Sequence, residues 1–252
     1  MSENNYRISV CIATYNGQNF IKEQIDSILI QIDSSLDEVI VIDDCSTDNT
    51  VEIIQNYNSP SIKLIKNDHN LGAIKSFEKA IKFSKGSIII LSDQDDIWHD
   101  IKVFTILDSF KKNRNTFCIV SDCEIIDENK KVLYESFFKL KNSKSGFWNN
   151  LHKNRYLGCS MAFRSCIKEL ILPFPKHINM HDEWIGLNCD LISNVLFLDK
   201  VLFSYRRHDK NVSSMEWSGF FRALLKRILH LTYVSLNILK IIKFRHSTSR
   251  KI

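Results

Sequence analysis

The sequence predicts an α/β fold with a mixed, mostly parallel sheet flanked by helices. Three observations predict it. Short apolar, β-branched runs alternate with segments of helical periodicity through the first half of the chain. Each run ends in a loop rich in Asp, Asn, Ser, Thr and Gly. The composition is globular: 252 residues, 44% hydrophobic and 25% charged, with 7 Gly and 3 Pro. Such a chain buries a sizeable core, and neither disorder nor a fibre is indicated.

Taken in order, Ile8 to Ala13 is the first predicted strand, TYNG its turn, and Phe20, Ile21, Ile25, Ile28 and Leu29 recur at helical spacing behind it. Glu38 to Ile42 is the second strand. DDCSTDNT follows, with helix N-cap candidates between Ser46 and Asn49 before Val51, Ile53 and Ile54 open a helix. Ile62 to Lys66 is the third strand and NDHNLGA its loop; Ile74, Phe77, Ala80 and Ile81 lie in register on the helix that ends at Phe83. Gly86 separates that helix from a fourth strand, Ser87 to Leu91. Strands alternating with helices imply parallel pairing through right-handed crossovers, which brings the four loops to one edge of the sheet. Open α/β sheets bind their ligands at that carboxyl edge.

From Phe117 onward the alternation ends. Phe117 to Ser121, Lys131 to Tyr134, LGCSMAF at 157–163 and Val195 to Phe197 read as strands, with a further apolar stretch at Val201 to Phe203. Helices are expected near Cys166 to Leu170 and Asp182 to Leu191. These pieces predict a second, mixed half packed on the same sheet.

Seven cysteines without a CxxC pair, and an N-terminus MSENNYR lacking a basic segment followed by an apolar one, predict a reduced, cytoplasmic chain with neither a zinc cluster nor a catalytic thiol. The net charge of +5 is unevenly placed. No acidic residue follows Glu216, whereas Arg222, Lys226, Arg227, Lys240, Lys243, Arg245, Arg250 and Lys251 do, so the rest of the chain holds 26 basic against 29 acidic residues. That balance argues against nucleic acid as a partner.

The basic tail, residues 217–252, is a separate unit in this reading. Within 220–244 the longest uncharged stretch, Ile228 to Leu239, is twelve residues, short of the ~20 that span a bilayer. On a helix, Arg222, Lys226, His230, Asn237 and Lys240 fall on one side, and Phe221, Leu224, Ile228, Leu231, Leu239 and Ile242 on the other. Such a basic amphipathic helix suits an anionic membrane surface at the inner face of the cell membrane; packing on the domain or on a second subunit is the alternative.

The densest chemistry lies in GSIIILSDQDDIW at 86–98, where Asp93, Asp95 and Asp96 crowd the end of a strand. Carboxylates this close repel one another unless solvent separates them or a cation neutralises them. Mg²⁺ and Mn²⁺ take such hard oxygen ligands, often together with a substrate's phosphates. Alternatively the loop is merely acidic and Asp96 caps the next helix.

With TYNG, DDCSTDNT, NLG and SDQDD in this order, the chain resembles glycosyltransferase family 2, inverting sugar transferases of the GT-A (Rossmann-like) fold, over roughly residues 7–211. The wording SDQDDIW, with HDEW at 181–184 and YRRHDKN at 205–211, is most similar to the bacterial rhamnosyltransferase-like branch. The resemblance implies one catalytic domain over 1–216, with a nucleotide-sugar half at 1–112 and an acceptor half at 113–216. It implies that Thr14 and Tyr15 hold the nucleotide base and that Asp44 contacts it. Asp43 is placed at the ribose or as a helix cap. Asn70 and Gly72 are placed beside the nucleotide, Gly72 as a close-approach or simply a turn glycine. Asp93, Asp95 and Asp96 are implied at the ribose and a divalent ion, Mg²⁺ or Mn²⁺. Asp182, with Glu183 in reserve, is implied as the base that takes the acceptor's proton, although His181 stands where the family usually has a second acidic residue; an N-cap role is the alternative for Asp182. Arg206 and Arg207 are implied at the diphosphate, and His208 at the metal or in a structural role. The implied activity is metal-dependent transfer from a nucleoside diphosphate sugar, such as dTDP-rhamnose, to a lipid-linked saccharide or surface polysaccharide. A nucleotidyltransferase, or a non-catalytic membrane-associated partner of a polysaccharide assembly complex, are the rival readings.

Overall fold

The computed structural model describes residues 7–193, 195–208 and 220–249, with side chains of the last segment described over 227–247. The four predicted strands form as β1 (Ile8–Thr14), β2 (Glu38–Asp43), β3 (Ile62–Lys66) and β4 (Ile88–Ser92), joined through helices α1 (Ile21–Leu29), α2 (Thr50–Gln55) and α3 (Ala73–Phe83). They pair in parallel in the order β3-β2-β1-β4, with Val10 opposite both Val39 and Ile90. β1, β2 and β4 are buried on both faces, which is why their sequences are continuously apolar rather than alternating. Val10, Ile12, Val39 and Val41 pack with α1 on one face; Cys11, Ile40, Ile42 and Leu91 pack with α3 on the other.

The second half adds β5 (Ile97–Trp98), α4 (Lys102–Lys112), β6 (Cys118–Ile126), β7 (Val132–Tyr134), α5 (Phe137–Lys141), α6 (Phe147–His152), β8 (Met161–Arg164), α7 (Lys168–Ile171), α8 (His181–Ile192), β9 (Leu196–Arg206) and α9 (Phe220–Ser249). β8 inserts antiparallel between β4 and β6, and β9 runs parallel to β6. The C-terminal ends of β1, β2, β4, β6 and β9 therefore share one edge with the N-terminal end of β8. The two apolar stretches expected at Val195 to Phe197 and Val201 to Phe203 belong to one strand. Its pairing with β6 shifts register between Leu198 and Val201, and the intervening Asp199 and Lys200 are exposed.

Among the described residues no helix is long and apolar enough to cross a membrane. α9 packs against α8, α7 and α6, but not by the side an amphipathic projection selects. His230 (1% exposed) and Asn237 (7%) face inward with Val234 and Ile241, while Ile228 (51%) and Leu239 (77%) face out. The side chains of Phe221, Arg222, Leu224 and Lys226 lie outside the described residues, as do Asp209, Lys210 and Asn211. All seven cysteines are free.

Candidate active site

The loops at the shared edge are tied to one another by side chains. Thr14 at the end of β1 donates from Oγ1 to Gln94 Oε1 at 2.6 Å, and the same oxygen accepts from the Tyr15 N–H at 3.0 Å. A Cβ at position 17 would lie 2.3 Å from that Gln94 oxygen, so a side chain there would displace the Gln94 amide that joins the two loops. Asp44 Oδ1 accepts from the Leu71 N–H (2.8 Å) and from Asn67 Nδ2 (2.8 Å), and its Oδ2 from the Gly72 N–H (2.7 Å). Asn70 Nδ2 donates to the Asp44 carbonyl at 3.2 Å. Asp44 thus staples the loop after β3 to the loop after β2. Gly72 adopts φ +82, and a Cβ there would meet nothing within 4 Å. Its backbone conformation requires glycine, as in the turn alternative, whatever approaches it.

A cavity of about 760 Å³ opens at this edge, and Thr14, Tyr15, Asp44, Asn70, Gly72, Asp93, Asp95, Asp182 and Arg207 all line it. Asp43, Asp96, Glu183 and Arg206 do not. Asp43 is buried, its Oδ2 accepting from the Ser46 N–H at 3.2 Å. It does not cap α2; Asp48 accepts from the Thr50 N–H there (3.0 Å).

The acidic cluster divides by depth. Asp93 and Asp95 face the cavity, whereas Asp96 is fully buried behind them. Burial, then the charges of Asp93 and Asp95, push the Asp96 carboxyl well above its ordinary range; burial, then Asp95, push Asp93 upward too. One buried cation answers them. Lys102 is fully buried beneath the rings of Trp98 (4.4 Å) and Phe203 (4.0 Å), and its Nζ donates to the Cys159 carbonyl at 3.0 Å. Burial lowers its pKa to about 8 against the raising influence of Asp96 and Asp93. Asp96 does not cap α4, whose N-terminus has no side-chain cap. Its Oδ1 accepts from the Arg206 N–H at 3.3 Å, and its Oδ2 is buried with no hydrogen-bond partner among the described residues.

These residues fit a divalent ion. Oxygen and sulfur atoms of Asp93, Asp96 and Cys159 lie within 4.8 Å of one another, but burial holds the Cys159 thiol protonated, a poor ligand for Mg²⁺ or Mn²⁺. A harder set is Asp93 and Asp95, which line the cavity, with His208, which does not line it but lies with its Nε2 2.7 Å from Asp95 Oδ2 and its ring stacked on Phe20 at 4.9 Å. Arg207 faces the cavity. Arg206 turns away from it and is fully buried, donating to the Asp95 carbonyl (2.9 Å), the Glu128 carbonyl (3.1 Å) and Glu23 Oε2 (2.6 Å). Its placement is that of a strut beneath the acidic loop, and the expected contact with diphosphate finds no support in it.

Asp182, which also lines the cavity, sits in the first turn of α8. Its Oδ2 accepts from Asn154 Nδ2 at 3.3 Å and its Oδ1 from the Glu183 N–H at 2.7 Å. Burial, followed by the Glu183 charge, raises its pKa to about 7. Glu183 points instead toward Asn179 Nδ2 (3.2 Å) and His230. His181, stacked on Phe77 at 4.2 Å, is buried with its pKa lowered to about 3, so the residue replacing the family's second acid is a neutral ring.

The profile described as Glycosyl transferase family 2 matches residues 9–171. The chain belongs to glycosyltransferase family 2. Among curated relatives of this glycosyltransferase, the dTDP-rhamnosyl transferase RfbG of Shigella flexneri is 38% identical over 245 residues, 86% of this chain and 78% of that protein. The UDP-Glc:alpha-D-GlcNAc-diphosphoundecaprenol beta-1,3-glucosyltransferase WfgD of Escherichia coli is 27% identical over 219 residues, 86% of this chain and 83% of that protein. Among solved structures, S. aureus TarS 1-349 in complex with UDP-GlcNAc superposes with a TM-score of 0.68 at 19% identity, over 89% of this chain and 66% of that one. The mannosyltransferase PcManGT of Pyrobaculum calidifontis, in complex with GDP-Man and Mn²⁺, does so with 0.58 at 17%, over 94% and 64%. The chain therefore spans just under two thirds of these solved chains, and the likeness shows the GT-A fold.

Gln94, Asn154 and Lys102 are site residues that the sequence did not single out. Gln94 lies between two of the predicted carboxylates, and strand-end alternation would turn it opposite to them, toward the β1 loop. Asn154 lies between α6 and β8, where no periodicity reports on it. Lys102 opens α4, a helix that the sequence patterns did not predict, and a lysine is ordinarily read as surface.

Proposed function

We propose that this glycosyltransferase carries out an inverting, metal-dependent transfer of a sugar, rhamnose from dTDP-rhamnose, to a lipid-linked saccharide or surface polysaccharide. The observation that carries the reading is that Asp182, Asp93 and Asp95 line one cavity. In the transfer, the acceptor hydroxyl oxygen attacks the anomeric carbon, the bond from that carbon to the phosphate oxygen breaks, and the hydroxyl proton passes to the Asp182 carboxylate. A carboxylate with its pKa near 7 is half ionised at neutral pH and strong enough a base for that proton. Asn154 and the Glu183 N–H fix its two oxygens. Asp93 and Asp95, with His208, would hold Mg²⁺ or Mn²⁺, which supplies Lewis-acid stabilisation of the leaving diphosphate. Thr14, Tyr15 and the loop stapled by Asp44 would receive the nucleoside, and Arg207 the phosphate charge.

The donor assignment is supported by RfbG, the relative named above as a dTDP-rhamnosyl transferase, and a lipid-linked acceptor by the name of WfgD. Residues 1–216 act in this reading as the catalytic unit, and 217–252 as the element that brings it to an anionic membrane surface on the cytoplasmic side. The test is donor hydrolysis and binding across UDP-, dTDP- and GDP-sugars with Mg²⁺ or Mn²⁺, in the wild type and in Asp95→Asn. Metal-dependent release of a nucleoside diphosphate from dTDP-rhamnose, lost in the variant, supports the reading. Cleavage between the two phosphates, releasing nucleoside monophosphate and sugar 1-phosphate, would identify a nucleotidyltransferase, and binding without turnover a non-catalytic partner.

A further inference from the structure

α9 meets the domain through polar atoms. Asn237 Nδ2 donates both to Asn188 Oδ1 (2.8 Å) and to the Leu170 carbonyl (2.9 Å); Asn188 in turn donates to the Trp184 carbonyl one turn back along α8 (2.8 Å). Two turns nearer the start of α9, His230 Nδ1 lies 3.6 Å from Glu183 Oε1, with both side chains more than nine-tenths buried. That separation is ion-pair range, longer than a hydrogen bond. Buried polar pairs of this kind admit few alternative registers, because a slip leaves desolvated groups unsatisfied. Glu183 is the neighbour of Asp182, its N–H donates to Asp182 Oδ1, and Asn179 holds its other oxygen. The C-terminal helix thus braces the same turn of α8 that presents Asp182 to the cavity.

We infer that His230 is a positioning residue that acts on Asp182 through Glu183, so that α9 is a working part of the catalytic site as well as an attachment. The inference rests on Asp182 being the base. It predicts that loosening α9 lowers turnover while leaving the loops after β1, β2 and β4 intact.

The test uses the full chain and compares wild type, His230→Leu and His230→Asn, whose amide reproduces the Nδ1 position. Turnover of the donor found in the panel above is measured together with amide hydrogen exchange over residues 181–189. His230→Leu is expected to lose about 10- to 100-fold in kcat, the usual cost of misplacing a catalytic group by a fraction of an ångström to an ångström. Donor KM stays within about twofold, exchange in the first turn of α8 accelerates, and His230→Asn retains most of the activity. Wild-type kcat in His230→Leu, an equal loss in both variants, or a loss confined to KM overturns the inference. If the wild type turns over no donor, the proposed function fails by itself, and exchange alone decides: acceleration confined to the first turn of α8 supports the brace, and an unchanged rate or unfolding throughout removes it.

Discussion

The two walls of the cavity are built differently. On the donor side, the loops after β1, β2, β3 and β4 are fastened by backbone N–H groups to the side chains of Gln94 and Asp44, so the wall is set by hydrogen bonds among loops that a parallel sheet already brings together. On the other side, Asp182 stands on a helix reached after the long excursion through β7, α5, α6 and β8, and its position depends on the Asn154 side chain, the Glu183 N–H and, behind Glu183, His230 of α9. One wall is local in the sheet and preassembled. The other is long-range, and more easily displaced by a single side chain.

The largest expected effect falls on the acceptor wall. Asp182→Asn keeps the shape and removes the carboxylate proposed as the base, so kcat is expected to fall by about 10²- to 10⁴-fold with little change in donor affinity. The wild-type rate should also fall as pH drops below about 7, because burial and Glu183 raise the pKa of Asp182 to about 7 and the protonated form accepts nothing. The stability consequence has the opposite direction. A carboxyl whose folded pKa is raised stabilises the fold at low pH, and loses that contribution as pH climbs from its ordinary 3.8 through about 7. Melting temperature against pH, compared with Asp182→Asn, should therefore show a contribution that disappears across this window; an identical profile in the variant would sink the assignment.

On the donor wall, Asp95→Asn is expected to lower turnover by about 10²- to 10³-fold, the scale for removing one preorganised charge-stabilising group. Mg²⁺ or Mn²⁺ should raise the melting temperature of the wild type and not of this variant, since a ligand bound only to the folded state stabilises it. Metal-independent melting in both would break the division of labour between the walls. A smaller effect belongs to Asp44→Ala, which removes three hydrogen bonds from the loop that ends in Gly72. It should cost on the order of 2 kcal/mol of stability and raise donor KM more than it lowers kcat. A loss purely in kcat would mean that the loop takes part in the chemical step.

The same contrast decides what the sequence disclosed. The parallel half was legible because each strand is a continuous apolar run whose burial follows from its position in the sheet, and each loop carries its own turn signals. Ile8–Thr14 and Glu38–Asp43 form within a residue of their expected ends. In the mixed half, position depends on partners far along the chain. Asp199 and Lys200 interrupt the apolar pattern of β9, yet the strand continues because the register shift turns both outward. Arg206 reads as a phosphate ligand until Glu23, 183 residues earlier, and the Asp95 carbonyl claim its guanidinium. Asp96 reads as one of three equivalent carboxylates until depth separates it from Asp93 and Asp95.

α9 is the sharpest case, because local polarity points the wrong way. A projection assigns His230 and Asn237 to the solvent side, but α8 offers Glu183 and Asn188 where they dock, so these two turn inward. The apolar flank is left outward: Ile228, Leu231, Leu239 and Ile242 are exposed on a helix that carries Lys240, Lys243 and Arg245 and no acidic residue. A second copy of so basic a helix would be repelled, whereas an anionic bilayer attracts the cations and admits the side chains between them. Leu239→Ser should then leave the melting temperature unchanged, since Leu239 is 77% exposed, and weaken sedimentation with phosphatidylglycerol vesicles by about tenfold, the worth of one apolar side chain withdrawn from water. Unchanged vesicle binding, or a loss of stability with none of binding, would show that this flank meets protein instead. α9 would then serve the acceptor wall alone.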